Sequence, residues 1–407
     1  MFDVKSVDEV IKIIKESFSD IVLKTEVVDI KEAVGRVTVE DVISGEEIPV
    51  FNRSSVDGYA VISSDTFGAS DSTPAQLRLV GEVKMGEKPE MNLQRGKAVY
   101  VPTGGQLPKN ADAVVMIEYA ENYDDGFIYI NKAAAPGSSV VFKGDDIKEG
   151  SIVIRQNHVL RPQDIGMLAA LGFQNIKVKN KVRIGIISTG DEVVGIDAVP
   201  KGAKVRDINS YALYSAVLND GGIPKLYGIV EDNFDKIKEM VEKALLESDI
   251  VLISGGSSVG TRDETFKVIN SLGLPGILVH GIAVKPGKPT ILGKIYDKAV
   301  FGLPGHPASA FVIYKIFVSY LMDIINGIGP KLKKTVRAKL SCNYPSNNGR
   351  EEFIPVKLEE ADGKTLAVPV FGKSGLISIL TSADGYVHKR RGYEGIPSGQ
   401  EIEVILF

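Results

Sequence analysis

Tryptophan is missing from the 407 residues, cysteine occurs once and histidine four times. A lone Cys342 cannot close an intrachain disulfide, and His158, His280, His306 and His388 stand singly, so no zinc or iron–sulfur site built on Cys/His spacing is predicted. An excess of one charge is missing too. With 48 Lys plus Arg against 52 Asp plus Glu the net charge is -4, which leaves no basic face for duplex DNA or RNA, and no nucleic-acid partner is predicted. The opening residues carry Asp3, Lys5, Asp8, Glu9, Lys12 and Lys15, so the uninterrupted apolar run of a signal peptide is absent. The longest apolar stretch, Ala308 to Ile325, nears membrane length but contains Lys315 and Asp323 and follows a Gly/Pro loop; it reads as a buried helix. The expectation is a cytoplasmic, reducing setting with no membrane partner.

What is present is ordinary globular stock, 44% apolar and 25% charged, enough for about two to four domains. Ser6-Val7-Asp8-Glu9 has the form of a capping box, and Val7, Val10, Ile11, Ile14 and Phe18 follow at helical spacing, which predicts an amphipathic helix. Short β-branched runs punctuated by Gly, Pro and Asn then mark residues 49–136 as a β-rich unit inserted into a mixed α/β unit made of 1–48 plus 137–180. From Val182 onward continuous Val/Ile/Leu strands alternate with helices. The strands are Val182 to Ile187, Lys225 to Val230, Ile250 to Ser254 and Ala299 to Leu303, so 181–326 reads as a doubly wound, mostly parallel α/β domain. After Gly327-Ile328-Gly329-Pro330 strand-like runs return, predicting a C-terminal β-barrel over 331–407. The fold class is therefore multidomain α/β plus β.

In an open parallel sheet ligands bind beyond the carboxyl ends of the strands. The unusual residues of 181–326 fall there. Thr189-Gly190-Asp191-Glu192 follows the first strand, Asp232 the second, and Ser254-Gly255-Gly256-Ser257-Ser258-Val259-Gly260 with Asp263 the third; Lys285-Pro286-Gly287-Lys288-Pro289 and Pro304-Gly305-His306-Pro307 complete the rim. The Gly/Ser stretch offers close backbone approach and free N–H donors to phosphate or another oxyanion, although a plain strand-to-helix turn has the same composition. It matches neither the P-loop nor the dinucleotide fingerprint. Glu192, Asp232 and Asp263 would repel a phosphate without a cation between, which points to Mg²⁺; the alternative is that Asp191 and Asp263 cap helices that follow them. Lys285 and Lys288, spaced by Pro-Gly, present two ammonium groups to an oxyanion or to solvent. His306 reads as a residue that shapes its loop between two prolines rather than as a metal ligand.

These clusters, taken in order with Ser55-Val56-Asp57-Gly58-Tyr59-Ala60-Val61, Thr103-Gly104 and Gly144-Asp145-Asp146-Ile147, resemble the molybdopterin molybdotransferase family, which includes MoeA and the E domain of gephyrin. The resemblance spans nearly the whole chain. It implies a homodimer of four-domain subunits, with a central domain like MogA, the adenylyltransferase of the same pathway. The implied reaction is Mg²⁺-dependent insertion of molybdate into adenylylated molybdopterin with release of AMP. Carried over by motif, Asp57, Thr103, Asp146, Glu192 and Asp263 are the implied catalytic residues. The implied substrate contacts come from Thr189, Gly190, Asp232, Ser254, Gly255, Gly256, Ser258, Gly260, Lys285, Lys288, Pro304, Gly305 and Pro307, with Ser374 of the last unit a further candidate. Glu192, Asp232 and Asp263 are the implied metal ligands. The chain departs from the family at His306, where Asn is usual, and at Ser257 and Glu264. A separate adenylyltransferase is expected to deliver the substrate. Asp57, Thr103 and Asp146 lie far in sequence from the rim and are expected to face it across a cleft, in one reading from the dimer mate.

Two rival functions fit parts of this pattern. An adenylyltransferase or nucleotide pyrophosphatase would use the α/β unit alone but has no need of the two β-rich units. A non-catalytic scaffold would use the whole architecture but has no need to gather Glu192, Asp263 and Lys285 at one rim.

Overall fold

In the computed structural model, which describes residues 4–255, 259–329, 334–346 and 349–407 and leaves aside the side chains of 259–263, the first element is the helix α1, Val7–Phe18. Ser6 caps it: the hydroxyl accepts the Glu9 N–H, and the Glu9 carboxylate accepts the Ser6 N–H at 2.7 Å. Val7, Val10, Ile14 and Phe18 form its buried stripe. That stripe enters the core of the central unit beside Met322 and Ile325, not the unit of 137–180 with which its place in sequence groups it. Backbone bonds from Lys5 N–H to Gly281 O and from Ala283 N–H to Lys5 O fasten the segment before the helix, and Lys294 Nζ holds Ser17 O at its far end.

Thr25–Asp29 then pairs antiparallel with Asn175–Lys179, and Val42–Ile43 with Ile152–Ile154, around a small core of Ala33, Leu160, Leu168 and Val178. The helix Pro162–Ala170 is locked at its start by Asp164, whose carboxylate accepts the Arg161 N–H, both ends of the Arg161 guanidinium at 3.0 Å and the His158 Nε2 contact at 2.7 Å. Between these halves sits a six-stranded sheet ordered Ala113–Met116, Gly58–Val61, Lys97–Val101, Ala75–Glu82, Phe127–Ile130, Ala120–Asn122.

The central unit runs β1 (Arg183–Thr189), α2 (Asn209–Asn219), β2 (Ile223–Val230), α3 (Phe234–Glu247), β3 (Ile250–Ser254), α4 (Val259–Ser271), β4 (Pro275–His280), β5 (Ile291–Ile295), β6 (Lys298–Leu303) and α5 (Pro307–Ile313). Its sheet is ordered β2-β1-β3-β6-β5-β4; the first four strands are parallel and the last two antiparallel. Period-two alternation divides the side chains between two cores. Ile184, Ile186, Ile250, Leu252 and Phe301 face α1, α2 and the helical run that follows β6, while Ile187, Val251, Ile253 and Val300 face α3 and α4. Both faces are covered, which is why the strands read as continuous apolar runs. The run Pro307–Ile325, interrupted by a π turn at Tyr314–Val318, is long and apolar enough to cross a bilayer, yet 72% of it is buried inside the fold.

The last unit is a five-stranded barrel. Its strands close in the order Glu351–Ala361, Lys364–Pro369, Thr335–Leu340, Glu401–Leu406, Gly385–Lys389 and back to the first. A two-residue strand of the central unit, Val284–Lys285, adds to it in parallel beside Glu351 and Glu352. The barrel is thereby stitched to the loop that carries the two rim lysines.

Candidate active site

The carboxyl ends of β1, β3 and β6 open on a cavity of about 330 Å³ lined by Thr189, Glu192, Asn209, Ser254, Gly255, Gly305 and Pro307 among others. The geometry follows from the strands. β1 and β3 end on the polar residues Thr189 and Ser254, and β6 ends on Leu303 with Pro304 and Gly305 directly after it, where the apolar sheet gives way to loops. Asn209, at the start of α2, ties two ends together by donating from Nδ2 to Ser254 Oγ and to Gly305 O, both at 2.8 Å. Among the described residues its own buried Oδ1 has no partner, and neither has Thr189 Oγ1, in a residue only 1% exposed. Orphaned polar atoms in a native interior are costly, so two of them at one cavity mark groups reserved for a ligand. Gly255 allows the approach: a Cβ there would lie 2.6 Å from Thr189 Oγ1.

Acids gather at one side of this cavity. Asp191 Oδ1 accepts the Asp232 N–H at 3.2 Å, and Asp232 Oδ1 is buried with no partner. Burial first, then the charges of Asp191 and Glu192, pushes the Asp232 carboxyl above its ordinary value. An acceptor-only group with an orphaned oxygen fits a hard cation by donor chemistry. Among the described residues no three His, Cys, Asp or Glu side chains converge closely enough to hold a metal ion; the side chain of the third expected ligand, Asp263, is left aside like that of its neighbours in α4, where Gly260 also lies, and Gly256 and Ser258 lie outside the described residues. Asp191 does not cap a following helix, because the next helix begins only at Asn209; there Asp207, one residue before the N-cap Ile208, accepts the Ser210 N–H at 3.0 Å. Gly190 stays in backbone contact with β2 through its N–H to Val230 O.

A second cavity, about 570 Å³, lies between the central unit and the barrel and is lined by Lys285, Lys288, Pro304, Arg350, Glu352 and Lys373 together with the aromatic rings of Tyr344, Phe353 and Phe371. Gly305 and His306 line both cavities and form their common wall. His306 Nδ1 lies 2.8 Å from Ser374 Oγ, and Ser374 O accepts the Ala308 N–H, so Ser374 reaches the rim from the barrel of the same chain. Pro307 is the first residue of α5, where its missing N–H costs nothing.

Asp57 and Thr103 meet elsewhere. Asp57 Oδ1 accepts the Thr103 N–H at 2.7 Å and lies 3.1 Å from its hydroxyl. The strands Arg53–Ser54 and Val140–Val141 bring the loop carrying Asp146 to the same edge, where the Asp146 N–H donates to Ile48 O. Among the described residues nothing from 49–148 lines either rim cavity. Sequence reasoning missed Asn209, Tyr344, Arg350, Glu352 and Lys373. Glu352 did leave a signal: with Ile354 and Val356 it occupies alternate, buried positions of its strand.

Comparison with known proteins agrees in all parts of the chain. Residues 5–172 match the MoeA N-terminal region (domain I and II), 185–323 a probable molybdopterin binding domain, and 337–407 the MoeA C-terminal region (domain IV). A molybdopterin biosynthesis protein of Methanocaldococcus jannaschii is 37% identical over 94% of this chain and 92% of its own. A molybdopterin molybdenumtransferase of Bacillus subtilis is 28% identical over 94% and 90%. The crystal structure of the molybdopterin biosynthesis MoeA protein of Pyrococcus horikoshii OT3 superposes with a TM-score of 0.86 at 34% identity, covering 100% of both chains. With its three parts matched in order and the architecture shared from end to end, the chain belongs to the MoeA family.

Proposed function

We propose that this protein is a molybdopterin molybdotransferase, which inserts molybdate into adenylylated molybdopterin and releases AMP. The observation that carries the reading is the pair of cavities with one common wall at Gly305–His306. One is lined by orphaned oxygens at Thr189 and Asn209 and by the carboxylate of Glu192, suited to a nucleotide and its phosphates with a cation. The other is lined by Lys285, Lys288, Arg350 and Lys373, suited to a tetrahedral dianion. A substrate with a phosphoanhydride between nucleotide and pterin spans such a wall. Breaking its P–O–P bond takes one oxygen from water onto phosphorus, and AMP leaves. The lysines and arginine hold the oxyanion beside the dithiolene sulfurs.

Glu192, Asp232 and Asp263 are the residues proposed to hold Mg²⁺. When bound, the cation supplies charge neutralisation and polarises a phosphoryl oxygen. Asp191 and Asp232 orient the rim; Thr189, Gly190, Ser254, Gly255, Pro304, Gly305, Pro307 and Ser374 are the described residues proposed to contact the substrate. We further propose a homodimer in which Asp57, Thr103 and Asp146 of one copy complete the rim of the other, supported by their absence from the cavity linings within one chain. A separate adenylyltransferase delivers the substrate, and the free thiol of Cys342 suits a reducing cytoplasm.

The test is AMP release from adenylylated molybdopterin, molybdate and Mg²⁺. No release by the wild-type protein would refute the transferase reading. Co-refolding equal amounts of Asp57→Ala and Asp232→Ala copies is expected to restore about a quarter of wild-type activity, since half the dimers are mixed and each has one intact site. No recovery above the separate variants would refute the sharing of sites.

A further inference from the structure

The second cavity holds one group for which the chemistry above has no use, the carboxylate of Glu352. On charge alone it repels the dianion that the cavity is to bind. It is 2% exposed, and both oxygens are engaged: Oε1 accepts the Ser346 hydroxyl, while Oε2 lies 3.4 Å from the Tyr344 hydroxyl and 3.2 Å from Lys285 Nζ. Burial and the Glu352 charge push the Tyr344 phenol up to about 12, so it remains a donor at neutral pH.

The backbone sets the same pair side by side. Lys285 and Glu352 are register partners in the parallel pairing of Val284–Lys285 with Glu351–Glu352, and the Glu351 N–H donates to Ala283 O at 3.0 Å. On the other flank Lys389, also a register partner of Glu352, commits its ammonium to Tyr393 O at 2.7 Å. Lys285 is therefore the cation that the carboxylate holds. Its side chain is 56% exposed against 3% for Glu352. A long, solvated lysine stem samples many rotamers, and a fixed, desolvated carboxylate at its tip removes most of them.

We infer that Glu352 is a positioning residue for the transfer reaction, acting through Lys285: from the barrel it fixes the ammonium at the wall of the cavity that Lys288, Arg350 and Lys373 also line. This rests on the transferase reading. The barrel then contributes to turnover by aiming a group that belongs to the central unit, which gives a chemical reason for Val284–Lys285 to join its strands.

The full-length protein tests it by a double-mutant cycle on AMP release. Glu352→Gln keeps the shape and one acceptor oxygen for the Ser346 or the Tyr344 hydroxyl, while the other hydroxyl turns to accept from the amide NH2. It is expected to lower kcat about ten-fold in the wild-type background, by analogy with the cost of a displaced reacting group. In a Lys285→Met background the same change should cost less than about two-fold, because the interaction is already gone. The KM for molybdate should hold or fall, since a negative charge has left the cavity. Glu352→Asp, one methylene shorter but still charged, should recover part of the lost kcat. Equal losses in both backgrounds, or a loss that follows a lowered Tm and is not recovered by Asp, would overturn the inference. A wild-type protein that releases no AMP would remove the transferase reading first, before any variant is compared.

Discussion

Replacing Gly287 by alanine tests how the oxyanion loop is held. Gly287 lies between the two lysines at φ +112°, and a Cβ there would sit 2.6 Å from both Cδ1 and Cγ1 of Ile313 on α5, a residue 0% exposed. Ordinary carbon contacts are about 3.5–4 Å, so either the core isoleucine or the loop must retreat by about 1 Å. Overpacking costs about 1–3 kcal/mol and an L-residue at such a φ about 1–2 kcal/mol, together about 2–5 kcal/mol if nothing relaxes. Ile313 is enclosed on every side, whereas the loop faces a cavity, so the loop is the part that moves. Relaxation then leaves a stability loss of about 2 kcal/mol, a fall in Tm of about 4–8 °C. The same 1 Å separates Lys285 from Glu352, and misplacement on that scale costs about 100-fold in turnover. Differential scanning fluorimetry and AMP release at saturating molybdate measure the two effects. A Gly287→Ala protein with unchanged Tm and kcat would refute the packing argument.

Three other perturbations have definite signs. Thr189→Val removes a buried hydroxyl that has no partner, so the unliganded protein should gain about 1 kcal/mol while AMP affinity, by calorimetry, falls about ten-fold. The raised Asp232 carboxyl means that the folded state holds that proton more tightly than the unfolded chain does; its stabilising contribution is present below the ordinary carboxylate pKa and lost as pH rises through the folded value. Asp232→Asn should therefore be more stable than wild type at pH 7, but not at pH 3, in urea unfolding without metal, and Mg²⁺ should protect only the wild type. Asp164 has the opposite sign: the Arg161 guanidinium, with His158 and the Arg161 N–H, holds its carboxyl well below the usual range, so its contribution is present above that range and lost as pH falls. Asp164→Asn should cost about 1–2 kcal/mol at pH 7, discounted for the exposed Arg161, and the gap should close in acid; a gap independent of pH would contradict the assignment.

The regular parts of the central unit were legible because both faces of its sheet are covered. Ile250–Ser254 is an unbroken apolar run in sequence and a strand with both faces buried in the structure. The antiparallel strands Pro275–His280 and Ile291–Ile295 were not legible, since Pro275, Gly276 and Gly293 punctuate them as turns do. Gly293 is small there because Ile269 fills the space its side chain would take, a packing reason invisible to local pattern. The rim acids and glycines could be read because strand ends concentrate them. The lining supplied by the barrel could not, because Tyr344, Arg350 and Lys373 meet Lys285 only through tertiary pairing of segments far apart in the chain.

The way α1 is used bears on how the polypeptide is made. This helix leaves the ribosome roughly three hundred residues ahead of Met322 and Ile325, which belong to the wall it completes. Until then Val10, Ile14 and Phe18 are an uncovered greasy strip on a nascent chain. The finished central unit has the mirror-image need. A truncated gene beginning at residue 181 would encode the whole sheet and lack the part of its cover that α1 provides, and its product should precipitate unless α1 is supplied as a separate peptide.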